Sequence, residues 1–351
     1  MRSLLLFDGL GGTNDHLITG LRELRARPEN AAFFHAVYRA LDESVDYLGP
    51  GAAPTGWPLE KWLGGVEPPP LDSVAAGVCV HVHQLCLLQR PDAGGDVVAA
   101  LGHSIGLQAA VVAGVRARRL DEFLALAVTS VKLVAVSLVR ARQAVPDRGT
   151  DPDLAAGYRR GRGAAPGPMA SVTGMRRDEL TALLADSADV ALGLANAPTA
   201  HVVSGPTADL LALRARHADA FDRPGVTWAF LPNTIPFHSP ALADVPARVR
   251  ADLDFIGPAP TPDRLALPVY AGDGPRDLRH ADDLVDEYLT QVFVRPIDWE
   301  PAVRHAVADA AAAQVLDCGP GAGARRFTRE CLRAGDRAVR VESFRHLRPA
   351  G

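Results

Sequence analysis

The chain has 351 residues, 48% of them hydrophobic, and a formal net charge of −4. That length sets a prior of two folded units, and the near-balanced charge, with no basic excess, argues against a nucleic-acid partner. No run of apolar residues approaches the length of a bilayer span, so no membrane association is expected.

The N-terminal stretch Met1-Arg2-Ser3-Leu4-Leu5-Leu6-Phe7 is short, runs into Asp8 and lacks a small-residue cleavage site. It reads as a first buried strand over 3–7 and not as a signal peptide, which predicts a cytoplasmic protein. A glycine-rich turn follows, Asp8-Gly9-Leu10-Gly11-Gly12. Helical patterning covers 29–48, a Pro/Gly-rich loop covers 49–71, and a further helix covers 73–90. On that last helix Cys79, His83 and Cys86 share a face at i, i+4, i+7, a spacing a metal could use. A buried helix needs the same face, because free cysteine packs as a small hydrophobe. With no fourth ligand in view, no metal is expected. The four cysteines, Cys79, Cys86, Cys318 and Cys331, show no C-x-x-C spacing and read as reduced and inert.

The most informative segment comes next. Asp96 to Leu101 is a short apolar run that reads as a buried strand, and Leu107 to Ala113 is a good helix former. Between them lies Gly102-His103-Ser104-Ile105-Gly106, a Gly-x-Ser-x-Gly pentapeptide. Strand, sharp turn and helix would hold Ser104 exposed at the turn with its hydroxyl aimed at a substrate. Gly102 and Gly106 let the two elements pack closely. The helix start offers unpaired N–H groups, so the N–H of Ile105 could stabilise an oxyanion.

Long helices fill 107–145. Pro146-Asp147-Arg148-Gly149 and the Arg/Gly-rich stretch Tyr158-Arg159-Arg160-Gly161-Arg162-Gly163, ending at Pro166-Gly167-Pro168, read as a linker. A strand at 169–173, a helix at 177–185, strands at 190–196 and 201–205, a helix at 207–220 and a strand at 226–231 then give β-α-β-β-α-β, the ferredoxin-like order. The expected architecture is α/β: an α/β-hydrolase-like core over 1–165 and 233–351, with an inserted ferredoxin-like subdomain over 166–232. Two more strands are expected at 267–270 and 314–318 in the resumed core.

A nucleophilic serine needs a base. Of the eleven histidines, His238 stands out, in Ile235-Pro236-Phe237-His238-Ser239-Pro240, where the chain re-enters the large unit between two prolines. His103 adjoins the serine but points to the opposite side of the turn.

Taken together, these residues resemble the acyl-carrier-protein transacylases: the malonyl-CoA transacylases of fatty-acid synthesis and the acyltransferase domains of polyketide and type I fatty-acid synthases. Phe7-Asp8-Gly9-Leu10-Gly11-Gly12 is similar to that family's first-strand loop, usually Pro-Gly-Gln-Gly. Gly102–Gly106 is similar to its Gly-His-Ser-x-Gly. Asn196, Val202-Val203-Ser204-Gly205, Pro236–Pro240 and Leu316-Asp317-Cys318-Gly319-Pro320-Gly321 resemble four further signatures in order. The resemblance covers nearly the whole chain.

It implies that Ser104 attacks an acyl thioester, that His238 takes its proton, and that the N–H groups of Leu10 and Ile105 form the oxyanion hole. An amide or carbonyl would orient the histidine, with Gln291 the candidate, although the local spacing is off by about one residue. Substrate-binding positions would include Ser137, Asn196 and Phe237. The acyl-serine then passes its group to a phosphopantetheine thiol. No bound cofactor is implied; acyl-CoA or acyl-phosphopantetheine is the substrate, and an acyl carrier protein and an acyl thioester donor are the partners.

One departure bears on specificity. Malonyl-type members carry an arginine on the long helix after the serine, paired with the substrate carboxylate. Aligning that helix puts Ser137 at this position, with Arg140 out of phase and Lys132 far along. An uncharged, starter-type acyl group is therefore expected. Without a ketosynthase or carrier segment, the chain reads as a discrete, trans-acting enzyme. Arg159, Arg160 and Arg162, or Arg325 and Arg326, could receive an acidic carrier or be ordinary surface arginines. An editing hydrolase that passes the acyl group to water, a silent carrier-binding scaffold, and a malonyl-CoA transacylase with another carboxylate partner stay open. An ordinary α/β-hydrolase would place an acid before its histidine, and no strand-end Asp is evident there.

Overall fold

Strand β1 (Arg2–Phe7) is buried from Ser3 onward, as its unbroken Leu4-Leu5-Leu6-Phe7 run demands of a parallel strand covered on both faces. The structure, a computed structural model, describes residues 1–10, 16–53, 56–69, 72–89, 96–145, 149–150, 152–162, 165–333 and 338–344. β1 is central in the first of two sheets. Its companions are β2 (Asp96–Gly102), β7 (Val269–Tyr270), β9 (Gln314–Asp317) and β10 (Arg340–Ser343). The order is β10-β9-β1-β2-β7, with every pair parallel. Phe7 lies opposite Gly102, and Leu6 opposite Asp317. The segments that leave β1, β2 and β9 therefore emerge side by side at one sheet edge, the C-terminal edge where α/β folds place their ligands.

Helix Ser73–Leu88 is buried from Ser73 to Cys86, apart from half-buried Ala76. It is capped by Asp72, whose carboxylate accepts from Ala75 N at 2.8 Å. Helix Leu120–Ala144 packs against it and against helix Ala31–Leu48. By length and composition alone, Leu120–Ala144 could cross a membrane, which amends the expectation that nothing here reaches that length. Its run from Leu133 to Val139 is wholly buried inside the fold, the pattern of a core helix.

The second sheet contains β3 (Met169–Thr173), β4 (Ala191–Ala197), β5 (Ala200–Ser204), β6 (Thr227–Phe230) and β8 (Ile297–Asp298), in the order β6-β3-β5-β4-β8. The first four are antiparallel neighbours, whereas β8 joins β4 in parallel. Helices Arg177–Leu184 and Thr207–Arg216 supply Leu180 and Leu210 to a separate small core with Val172, Val203 and Trp228. The sheet is not self-contained, because β8 comes from far along the chain.

Three readings change. The segment read as a linker contains a helix, Pro152–Arg162. Pro152 suits the first helical turn, and Tyr158 packs edge-on against Phe230 at 4.9 Å. The loop read over 49–71 contains helix Leu59–Gly64, which buries Trp62. Helix Leu17–Arg25 and strands β8 and β10 were not expected at all. Gly11, Gly12, Pro146, Asp147, Arg148, Gly163 and the side chain of Arg162 lie outside the described residues.

Candidate active site

β2 ends at Gly102, and helix Gly106–Val115 begins four residues later. Two glycines permit so tight a junction. A β-carbon on Gly102 would lie 2.2 Å from Leu107 N, and one on Gly106 would lie 2.4 Å from Phe7 O. Ser104, between them, has φ +53°, a left-handed conformation that few non-glycine residues adopt.

Ser104 Oγ lies 2.8 Å from His238 Nε2. His238 Nδ1 donates to the main-chain oxygen of Arg295 at 3.1 Å. A carbonyl can only accept, so Nδ1 carries the proton and Nε2 presents its lone pair to the serine hydroxyl. His238 also sits at positive φ, +57°. It is held there by His238 N donating to Val292 O and Ser239 N donating to Phe293 O. Burial pushes the imidazole down to about 4. Neutral imidazole is the form that accepts a proton, so the rate of serine acylation should be level from about pH 6 to 8 and fall as pH drops through about 4. A pH profile of single-turnover acylation checks this. A fall already complete at pH 6 would contradict it.

Gln291 reaches the histidine through its main chain, as Arg295 does, and its side chain is engaged elsewhere. Its Oε1 accepts from Gly272 N at 2.9 Å, and its Nε2 donates to Glu287 Oε2 at 2.8 Å. The cause is local. Thr290–Val294 is a π-helical turn, closed by Arg295 N donating to Thr290 O. This turn carries main-chain groups of both Gln291 and Arg295 to the imidazole while the Gln291 side chain faces Gly272 and Glu287. That side chain braces the loop after β7.

Asn196 has a second contact in the site. Its Oδ1 pairs with His103 Nε2 at 2.8 Å, and the His103 ring packs edge-on against Trp299 at 4.8 Å. Asn196 Oδ1 thus fixes the neighbour of the nucleophile. Phe237 is buried against Phe293, with ring centroids 5.9 Å apart. Ser137 Oγ is buried, donates to Val134 O at 3.0 Å and lies 3.3 Å from Tyr288 OH. The Tyr288 ring continues to Phe293 at 6.3 Å, so Ser137, Tyr288, Phe293 and Phe237 form one contiguous path toward His238. Around Gly77 the side chains of Leu138, Ile105 and Leu10 converge, which puts both oxyanion candidates against the same helix. β4 closes the other side: a β-carbon on Gly193 would meet His238 Cβ at 3.4 Å.

The cations of the long helix are engaged elsewhere. Arg140 binds Asp252 through two 2.8 Å hydrogen bonds, and Lys132 pairs with Glu43 at 2.7 Å. Arg142 bonds Ala52 O. Burial pushes the Cys79 and Cys331 thiols up to about 12, so both stay protonated and unreactive.

Two buried carboxyls, Asp8 and Asp317, lie at the ends of β1 and β9. Burial raises Asp8 above its usual range, opposed by His103 and by the N–H groups of Ala324, Gly9 and Gly323. Asp317 is pushed up to about 7 by burial and by Asp8, and Arg325 Nε is 3.6 Å away. Between about pH 4 and 7 the folded state therefore holds a proton that the unfolded state has released. This group's contribution to stability falls as pH rises through that window. Asp317→Asn should raise Tm more at pH 8 than at pH 5, by about 5 °C. Equal shifts at both pH values in thermal melts would refute this.

No family model matches the chain. It is 27% identical over 330 residues to the fatty acid synthase subunit beta of Schizosaccharomyces pombe, covering 82% of this chain and 15% of that protein. It is 30% identical over 226 residues to the fatty acid synthase beta subunit pkiC of Emericella nidulans, covering 58% of this chain and 12% of that one. The chain thus spans a small fraction of these curated relatives. Among solved structures, it superimposes on the acyltransferase domain from module 8 of the salinomycin polyketide synthase (TM-score 0.68, 20% identity, 97% of this chain and 70% of that one). It also superimposes on an acyl-carrier-protein S-malonyltransferase from Burkholderia pseudomallei (TM-score 0.66, 20% identity, 100% and 97%). The chain has the α/β fold shared by the malonyltransferases and polyketide-synthase acyltransferase domains, and its sequence is similar to fatty acid synthase beta subunits.

Proposed function

We propose that this chain is an acyltransferase that moves an uncharged acyl group from a thioester to the phosphopantetheine thiol of an acyl carrier protein, in fatty-acid or polyketide synthesis. The observation that carries this reading is the chain of contacts from Ser104 Oγ through His238 to Arg295 O at the C-terminal sheet edge. In the first half-reaction Ser104 Oγ attacks the thioester carbonyl, and His238 Nε2 takes the hydroxyl proton. The imidazolium that forms is stabilised through Nδ1–H on the Arg295 carbonyl. The N–H groups of Leu10 and Ile105 receive the oxyanion. Collapse expels the donor thiolate, which recovers the proton from His238. In the second half-reaction the acceptor thiol gives its proton to His238 and attacks the acyl-serine, and serine leaves reprotonated.

Selectivity for an uncharged group rests on Ser137. A carboxylate arriving there would meet a hydroxyl and the Tyr288 phenol, while Arg140 and Lys132 are engaged in other ion pairs. A buried carboxylate without a cationic partner costs several kcal/mol. For the carrier, the favoured surface is helix Gly323–Arg333. There Arg326, Arg329 and Arg333 are exposed along a groove of about 190 Å³ that also contains Glu330. The unit at 166–232 supplies Asn196 and Gly193 to one wall of the site.

The same dyad could hand the acyl group to water, and the product decides between the two. With hexanoyl-CoA and a holo carrier protein, transfer predicts acyl-carrier accumulation well above free acid. Free hexanoate released at the rate of CoA release, with no acyl-carrier, would make the chain an editing hydrolase.

A further inference from the structure

We propose that Asp8 is a positioning residue for the acylation step: its carboxylate locks the Gly9–Leu10 segment against Ser104 and so fixes the Leu10 half of the oxyanion hole. This rests on the acyl-serine reading above. Asp8 stands where the resembling family usually has proline, and it is 3% exposed. Its Oδ1 accepts from two main-chain donors, Gly9 N at 2.9 Å and Ala324 N at 3.1 Å. Its own main-chain oxygen accepts from Gln84 Nε2 at 2.7 Å. One residue therefore ties the end of β1 to helix Ser73–Leu88 and to helix Gly323–Arg333.

The segment so held has almost no freedom on its other side. A β-carbon on Gly9 would lie 2.9 Å from His103 O and 3.0 Å from Ser104 Cβ, and one on Gly319 would lie 2.5 Å from Asp8 Cβ. Main chain at Gly9 thus abuts the nucleophile turn directly, and Asp8 holds it there. An oxyanion donor acts only when it stands at hydrogen-bond distance from where charge develops. Leu10 N follows Gly9 directly, so release of Gly9 displaces that donor while Ser104 and His238 stay paired. The loss should fall on the transition state and leave ground-state binding intact.

The test compares wild type, Asp8→Ala and Asp8→Asn by single-turnover acylation with hexanoyl-CoA. A boronic acid that forms a tetrahedral adduct on serine is titrated in parallel. Asp8→Ala should lower the acylation rate about 10²-fold, as loss of one oxyanion donor does. Half-saturation for the thioester should stay within about threefold, and boronate affinity should fall in proportion to the rate. Asp8→Asn keeps an acceptor oxygen and should retain the rate within about tenfold. It also serves if the alanine variant does not fold. An unchanged rate in Asp8→Ala, a rate loss without loss of boronate affinity, or equal damage from Asn and Ala each overturns the proposal. A wild-type protein that forms no Ser104 adduct would instead overturn the acyl-serine reading itself.

Discussion

Replacing Ser104 with alanine should abolish the covalent acyl adduct and lower acyl transfer by at least about 10⁴-fold. The size of this effect follows from the geometry. Ser104 Oγ is 2.8 Å from the unprotonated nitrogen of His238, and the strained φ of +53° aims it out of the turn. Alanine fits the same backbone, so folding is preserved and the loss is chemical. His238→Ala should approach the same deficit, since members of such a unit act non-additively. Initial rates and intact mass check both. An adduct that survives in Ser104→Ala would show that another residue carries the acyl group.

Gly102→Ala should fail on different grounds. The added methyl would lie 2.2 Å from Leu107 N, 2.3 Å from Leu107 Cα and 2.4 Å from Gly106 C. All three are backbone atoms at the start of a buried helix, so none can swing aside as a flexible side chain could. Clashes of this kind belong to the rare substitutions that cost more than about 4 kcal/mol, a large share of the roughly 5–15 kcal/mol by which a domain is stable. The expected result is insoluble protein or a Tm lowered by about 10 °C. Gly157→Ala is the control. Nothing lies within 4 Å of its added carbon, it sits inside helix Pro152–Arg162, and alanine favours helix by about 0.5–1 kcal/mol. Thermal melts of the two variants should move in opposite directions, and a Gly102→Ala melt within about 2 °C of wild type would contradict the close-packed turn.

The parts of the site that were legible in the sequence are local. Strand, glycine, serine, glycine and helix are contiguous, so the turn that presents Ser104 follows from adjacent residues. His238 was legible from the two prolines that frame it. The histidine's partner was not, for two physical reasons. It is the main-chain oxygen of Arg295, a group every residue carries, and it arrives through a π-turn in which the Gln291 side chain faces Gly272 and Glu287. Asn196 was legible as a marked position but not as the partner of His103, which depends on how the two sheets meet. Asp8 gave no signal, because a buried carboxylate that accepts from Gly9 and Ala324 joins segments more than three hundred residues apart. In the fold, the long apolar strands were readable, whereas β8 has two residues and its existence is decided by its neighbour β4. Helix Pro152–Arg162 was hidden by an Arg/Gly-rich composition that resembles a solvated linker.

Ser104 should be acylated by uncharged groups and not by malonyl. Intact-mass spectrometry after incubation with malonyl-, acetyl-, propionyl- and hexanoyl-CoA, with Ser104→Ala alongside, tests it most directly. A Ser104-dependent adduct is expected from one or more of the uncharged thioesters, with a malonyl adduct at least about 10²-fold slower, the penalty of a carboxylate left without a cation beside Ser137. A malonyl adduct forming as fast as the others would contradict it and make the chain an extender-unit transacylase with a different carboxylate partner.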